Sequence, residues 1–498
     1  MVKYYDTMLA EYIKNPGQRW LGLDALSDKY FDYEMISYSD ITEKKKLSFE
    51  EVDVDRAAIY SWEDVYMTYK LYKEQQETLY MSQAISTESE RSEKRDILHE
   101  IEFPLLEVLS KMETTGIKID RDILKGIGMR LEQAILELKK EIYNLAGEEF
   151  NINSPKQVWE LLFQKLWLPS SKKTKTGFSV NAEVLDGLKK QYPIAEKIVT
   201  YRHYTKLNST YVEWLLEVVS DCGRIHTSYN QTVTSTWRLS STKPNLQNIP
   251  VGSDIAGEIR SAFIPDDNKD TLIAFDYSQV EVRLLAIMSG DQNLLKAFKD
   301  GKDIHAVTWE FIFWKTDISS KERQFAKAVN FWVIYGISPF GLTKMIDISQ
   351  KEAREYIDAF YNLYPSVRVF FDTTIENAKK NNYVETLFGR KRYIPAINDR
   401  NKMISSWAER EAMNMPIQWT SADIIKIAMI RIAKMLDEGE YQSTMLLQVH
   451  DELVFNIKPS ERSELIEKIP KIMENILENS PITLKVDMAE WKTWKDCK

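Results

Sequence analysis

Apolar positions recur every three or four residues over long stretches of the chain. From about Leu98 to Tyr211 the pattern is mostly amphipathic helix, as in RLEQAILELKKEIYNLAG, where Leu131, Ile135, Leu138 and Ile142 fall on one face. Four segments break that rhythm with β-type runs: RIHTSYNQ, TLIAFDYS, STMLLQVHDELVFNI and ITLKVDMA. More than a hundred mainly helical residues separate the second from the third. Strands so distant in sequence, with a helical block between them, predict an α+β domain whose sheet carries a separate helical subdomain. No internal repeat is present.

Within the helical block, KERQFAKAVNFWVIYG (Lys321–Gly336) spaces Arg323, Lys327, Phe331 and Tyr335 four apart. Each step of four advances about 40° around a helix, so the four share one broad face. Two cations followed by two aromatics suit a triphosphate and then a base. Trp332 is a bulky neighbour for such a pocket. Before this block, the first 75 or so residues mix short helical patterns with the tyrosine-rich YSWEDVYMTYKLYKEQ. STESERSEKRD (Ser86–Asp96) reads equally as a linker or a charged helix start. PSSKKTKTGFS (Pro169–Ser179) is a basic loop, either solvated or set against a phosphate backbone.

At 498 residues, with 44% hydrophobic and 28% charged positions, the chain is ordinary globular material with room for two to four domains. Its net charge of −9 gives no global sign of nucleic-acid binding, although a basic groove can sit on an acidic protein. The five histidines form no HExxH pattern and meet no cysteine cluster, which argues against zinc. Two cysteines, Cys222 and Cys497, make no disulfide framework and suit a reducing compartment. No run approaches the roughly 18 apolar residues of a membrane span. The opening MVKYYDTMLAEY lacks an apolar signal core, so export is not expected.

The candidate chemistry lies in carboxylates. In TLIAFDYSQVEVRLLA an apolar strand ends at Asp276 and a helical pattern follows; in TMLLQVHDELVFNI two apolar runs flank His450, Asp451 and Glu452, as in a hairpin with acids at its bend. Taken singly, Asp276 serves equally as a helix cap and Asp451 as a turn residue. Phosphoryl transfer, however, needs divalent cations about 4 Å apart, held by carboxylates, with further cations on the leaving pyrophosphate. Two strand-end aspartates and the cationic helix face supply those parts.

These residues fall in four blocks that resemble family A DNA polymerases, of the DNA polymerase I type. RLSSTKPNLQNIP (Arg238–Pro250) is similar to the family's primer-template block, and DYSQVEVRLLA from Asp276 to its first metal motif. Arg323–Gly336 resembles the fingers helix that receives the incoming nucleotide, and QVHDELVF (Gln448–Phe455) the second metal motif. GKDIH, YVETLFGRKRYIP and AEREAMNMPIQ add support, and the similarity runs from about residue 5 to the C-terminus.

The resemblance implies an α+β right-hand polymerase of palm, fingers and thumb, preceded by a truncated RNase H-like 3′–5′ exonuclease domain. Residues 1–95 would be the exonuclease remnant and 96–498 the polymerase, with the thumb at about 100–215, the palm at about 216–290 and 406–498, and the fingers at about 291–405. Asp276 and Asp451 would bind two Mg²⁺ ions, assisted by Glu452. Arg323, Lys327 and His305 would hold the triphosphate; Phe331, Tyr335, Gln279 and Glu281 would shape the nucleotide pocket, Glu281 crowding a ribonucleotide 2′-OH. Arg238, Asn245, Gln247, Arg410, Asn414, Gln418 and His450 would follow the primer-template, where minor-groove acceptors are largely shared among base pairs. The partners implied are primer-template DNA and dNTPs, acting on a monomer in a bacterial cytoplasm at the nucleoid, or in a phage-infected host, with no membrane. Tyr60 and Asp64 match the last exonuclease motif, whereas its earlier acidic motifs are not in the chain, so no proofreading is expected. In this family a tyrosine at the position of Phe331 goes with easy dideoxynucleotide use, so discrimination against dideoxynucleotides is expected. A single-subunit RNA polymerase shares the Arg/Lys/Tyr-Gly helix, but Glu281 and Phe331 argue against it. A non-catalytic DNA-binding remnant is disfavoured by the three acids.

The sequence departs from the family where glycine gives way to tryptophan. This happens at Trp332, Trp237, Trp314 and Trp419, and by the same comparison at Trp159, Trp167, Trp214 and Trp491, while Trp494 matches a family tryptophan. Only 17 glycines occur in the chain, about half the usual share of roughly 7%. The pattern implies a recoded stop codon, UGA being glycine in the source and rendered as tryptophan here.

Overall fold

A computed structural model describes residues 4–494 except 15, 19, 85–95, 170–172, 175–176, 179, 251–254, 314–318 and 347. Trp314, nearly all of Ser86–Asp96 and the side chains of the basic loop lie outside the described residues.

A four-stranded antiparallel sheet lies at the centre. Its strands are β1 (Thr271–Tyr277), β2 (Thr444–Val449), β3 (Glu452–Ile457) and β4 (Val486–Trp491), in the order β2-β3-β1-β4. In β1 the period-2 alternation of side chains sends Ile273 and Phe275 into one apolar cluster and Leu272 and Ala274 into another. Both faces of the sheet are therefore covered, which is why β1 reads as an unbroken apolar run rather than an alternating one. RIHTSYNQ, by contrast, yields two short strands, Arg224–Ile225 and Ser228–Asn230, that belong to other ladders.

The helical block between β1 and β2 begins with α3 (Val280–Ser289) and ends with the 37-residue α6 (Lys402–Glu438). Between them come α4 (Ile304–Phe313) and α5 (Ser320–Ile334). Ser319 caps α5 in a capping box with Glu322. Ahead of these, α1 (Thr7–Lys14) inserts Tyr12 into a buried cluster with Trp237, Ile394, Ala408 and Trp419. The long α2 (Val54–Ala84) carries Tyr60 and Asp64.

Of the seven singled-out tryptophans among the described residues, two have a backbone that favours glycine: Trp237 at φ 61° and Trp167 at φ 51°. Trp167 is exposed, whereas Trp237 is fully buried and its Nε1 has no hydrogen-bond partner among the described residues. Trp332 and Trp419 lie inside helices, Trp159 and Trp214 at helix ends, and Trp491 at the end of β4.

Candidate active site and nucleotide face

Asp276 sits near the end of β1, and Asp451 in the two-residue turn that joins β2 to β3, beside His450 at φ 56°. Val449 pairs with Glu452 across that turn, a hairpin too tight for more than two intervening residues. The Tyr277 N–H donates to the Asp451 carbonyl at 3.2 Å, so the two aspartates come to one edge of the sheet from segments far apart in sequence. Asp276 is exposed and Asp451 half-buried. Glu452, opposite Asp276 in register, is 2% exposed and accepts a hydrogen bond from Trp494 Nε1 at 3.2 Å. Asp487 of β4 stands opposite Asp276 on the other side, a neighbour that sequence reasoning missed. Its one signal was its place in the strand-like ITLKVDMA.

No group of three or more His, Cys, Asp or Glu side chains among the described residues forms a ready metal cage. Two outward carboxylates suit magnesium better than such a cage would, because that ion takes one or two carboxylates and fills its octahedron with water and substrate phosphates.

The predicted face of α5 is present. Ala326, Val329, Asn330 and Val333 are buried, while Arg323, Lys327 and Phe331 are exposed. Arg323 Nε donates to Asp303, which arrives just before α4. Burial alone would raise the Asp303 pKa, but the hydrogen bond and charge of Arg323 and the His305 N–H hold it below the usual carboxylate value. His305 is buried, with its Nδ1 3.1 Å from Asn330 Nδ2. Burial lowers its pKa, and the nearby Arg323 and Lys327 charges act in the same direction, which favours the neutral imidazole.

Glu281, on α3, joins the remaining pocket residues. Its Oε1 accepts from Arg238 Nη2 at 2.7 Å and its Oε2 from the Tyr335 hydroxyl. Burial raises the Glu281 pKa despite both donors, and the negative Asp451 nearby adds to the rise. Burial and Glu281 raise that of Tyr335. From α6, Gln418 Nε2 donates to the Tyr335 hydroxyl at 3.3 Å and Asn414 Nδ2 to the Tyr335 carbonyl at 3.1 Å. The Phe331 and Tyr335 rings lie 4.6 Å apart. After Tyr335, Gly336 at φ 67° passes so close to α6 that an added Cβ would meet Arg410 Cγ at 3.3 Å and Met413 Cε at 3.2 Å. Gln279, at the start of α3, is held at φ 53°.

Asn245 and Gln247 are engaged internally. Asn245 accepts from the Gln247 N–H, and Gln247 Nε2 donates to Gln448 Oε1 at 2.8 Å, while Gln448 Nε2 reaches the His450 carbonyl at 2.6 Å. The primer-template candidates Gln247 and His450 thus belong to one network.

A buried ionic cluster escaped the sequence reading. Arg390 donates to Glu102 at 2.7 Å and to Asp423 at 2.6 Å, Lys426 donates to Glu102 at 2.8 Å, and none of the four is exposed. Burial opposes the Glu102 charge, yet Lys426 and Arg390 prevail and bring its pKa down to about 2. The available signal was Asp423 and Lys426 one turn apart inside the apolar run of α6. On α2, Tyr60 and Asp64 are hydrogen-bonded; burial raises the Asp64 pKa, with Asp24 and Glu63 adding negative charge.

A family model described as DNA polymerase family A matches residues 121–496, and one described as 3′–5′ exonuclease matches residues 1–79. DNA polymerase I of Bacillus subtilis (strain 168) is 41% identical over 498 residues, covering 99% of this chain and 55% of that protein. DNA polymerase I of Lactococcus lactis subsp. lactis is 45% identical over 411 residues, 82% of this chain and 46% of that one. The chain spans about half the length of the curated relatives it matches. Among solved structures, the POL domain of Pol1 from M. smegmatis, in complex with DNA primer-template and dNTP, superposes with a TM-score of 0.86 at 32% identity, covering 99% of this chain and 82% of that one. The match over residues 121–496 takes in the strand-end aspartates, the cationic helix and the Glu281 pocket alike, and on it the chain belongs to DNA polymerase family A.

Proposed function

We propose that the chain is a DNA-templated DNA polymerase that adds deoxynucleotides to a primer 3′-OH. The observation that carries this reading is the placement of Glu281: it takes Arg238 and Tyr335 in one bracket and lies within electrostatic reach of Asp451. A nucleotide seated against Tyr335 would therefore lie beside the paired aspartates.

In this reading the sheet and α6 form the palm, residues of about 291–405 the fingers and about 100–215 the thumb. Arg323 and Lys327 hold the triphosphate, and the neutral His305 stands beside them as a hydrogen-bonding group. Phe331 and Tyr335 stack against the base and sugar, and the Glu281 bracket leaves no room for a 2′-OH. Arg238, Asn245, Gln247, Arg410, Asn414, Gln418 and His450 follow the minor groove and primer end. The primer oxygen attacks the α-phosphate in line and pyrophosphate leaves. Asp276 and Asp451, with Glu452 behind them, would hold two Mg²⁺ ions, which supply charge stabilisation to the transferring phosphoryl group. Every group in this account comes from one chain, so a monomer suffices, and a setting at the bacterial nucleoid is in keeping with the bacterial relatives. No helix among the described residues is long and apolar enough to cross a membrane.

Magnesium-dependent extension of a primer-template with dNTPs tests the proposal. Asp276→Ala and Asp451→Ala should each abolish extension and leave duplex affinity, which rests mainly on phosphate contacts, largely intact. Near-parental extension by either variant would refute the two-carboxylate assignment, and a parent that extends with rNTPs in preference to dNTPs would refute the substrate.

A further inference from the structure

The loop between the short strands Ser228–Asn230 and Ser240–Thr242 delivers Arg238 to the pocket, and one of its two anchors, Tyr12, comes from outside the polymerase region. Gln231 Nε2, at its start, donates to Glu102 Oε2 at 2.6 Å. Midway, the Thr234 carbonyl accepts a hydrogen bond from the hydroxyl of Tyr12 on α1, and the Thr234 hydroxyl in turn donates to the Arg238 carbonyl at 2.6 Å. Tyr12 is fully buried in the cluster that holds Ile394, Ala408 and Ala412, and its ring lies 4.2 Å from that of Trp237. A buried phenol without a partner is costly, so the hydroxyl direction is fixed by the Thr234 carbonyl it meets. Tyr12 lies within the stretch that matches the exonuclease model, yet it is itself none of the residues assigned to either chemistry.

We infer that Tyr12 is a positioning residue for nucleotide selection, acting through the hydrogen-bonded relay Tyr12–Thr234–Arg238–Glu281–Tyr335. The inference rests on the polymerase reading above. Thr234 supplies both joints of the relay: its carbonyl is held by α1 and its hydroxyl holds the backbone of Arg238. Arg238 then holds one oxygen of Glu281 while Tyr335 holds the other. Slack at Thr234 is passed to the bracket that shapes the sugar pocket, where small displacements have large kinetic effects. Trp237 is adjacent, but none of its atoms takes part. The exonuclease-like segment thereby contributes to polymerase selectivity whether or not it cuts DNA.

Tyr12→Phe removes one hydroxyl and keeps the ring. Expected is a 2- to 10-fold rise in KM for dNTP, the scale of one hydrogen bond, with kcat at saturating dNTP and primer-template Kd unchanged. Selectivity for dNTP over rNTP should fall by a similar factor. Thr234→Val, which cuts the second joint and leaves the Tyr12 acceptor in place, should reproduce the pattern even if Tyr12→Phe proves too unstable to assay. In a Glu281→Ala background, Tyr12→Phe should add nothing. Parental KM and selectivity in both variants, or an equal factor with and without Glu281, would overturn the inference. A parent chain that fails to extend primers would instead bring down the polymerase reading, and this inference with it.

Discussion

Trp237→Gly and Trp237→Ala form a matched pair that separates backbone strain from packing. Both remove the same indole and the same contacts: the Tyr12 ring at 4.2 Å, the Arg390 guanidinium at 3.9 Å and the Trp419 ring at 5.9 Å. The cavity cost, about 3–5 kcal/mol for so large a side chain, is therefore common to both and cancels in their difference. What remains is one Cβ on a backbone at φ 61°. The left-handed region costs an L-residue about 1–2 kcal/mol and glycine nothing, while the freer unfolded glycine chain gives back about 0.5–1 kcal/mol. Glycine should come out ahead by about 0.5–1 kcal/mol. At Trp419, inside α6, the order should reverse, with glycine about 1 kcal/mol below alanine. Urea unfolding followed by far-ultraviolet dichroism reads both differences as midpoint shifts in opposite directions, each equal to the energy difference divided by the slope measured for the parent chain. If Trp237→Ala is as stable as Trp237→Gly, the left-handed backbone is a consequence of the indole rather than a demand of the loop. The case for a displaced glycine at that position would then fail.

The gene supplies a related check: codons 159, 167, 214, 237, 314, 332, 419 and 491 should be TGA and codon 494 TGG, and TGG at 237, 332 and 419 would end the recoding idea. Phe331→Tyr should raise dideoxynucleotide termination relative to extension, measured on a sequencing ladder; an unchanged ratio would count against the role given to the exposed face of α5. Glu102, its pKa lowered to about 2, contributes stability that is present above its unfolded value of 4.5 and lost as pH falls from there toward 2. Glu102→Gln should flatten that acid limb of the urea midpoint and cost about 3–5 kcal/mol at pH 7, because Arg390 and Lys426 lose their counter-charge.

Local pattern carried the fold a long way. The unbroken apolar run of β1, the hairpin around His450 and Asp451, and the four-residue spacing on α5 each reflect a rule that operates within a few residues, and each appears in the structure. Meetings across the chain were not legible. Glu452 meets Trp494 because the chain beyond β4 turns back to Phe263, Asp487 stands beside Asp276 through sheet register, and neither follows from periodicity. The Glu102 cluster draws on three segments, of which only Asp423 and Lys426 looked out of place in their own neighbourhood. The engagement of Glu281 by both Arg238 and Tyr335 is likewise a fact of assembly: the family resemblance put Glu281 and Tyr335 in one pocket, but no local pattern pairs Glu281 with Arg238.

The strand order has a consequence for how the protein is made. Both neighbours of β1 are C-terminal: β3 begins at Glu452 and β4 at Val486, while β1 ends at Tyr277. At about 5–20 residues per second, a ribosome needs roughly 10–35 s to bridge that interval, during which the most apolar strand of the sheet has two open edges. The helices from α3 to α6 are complete before either partner strand emerges, so they can shelter the nascent strand on one face but cannot close its hydrogen bonds. A nascent chain stalled after Ile457 would still leave the β4 edge of β1 unpaired, and such products should be the ones that chaperones hold and proteases remove.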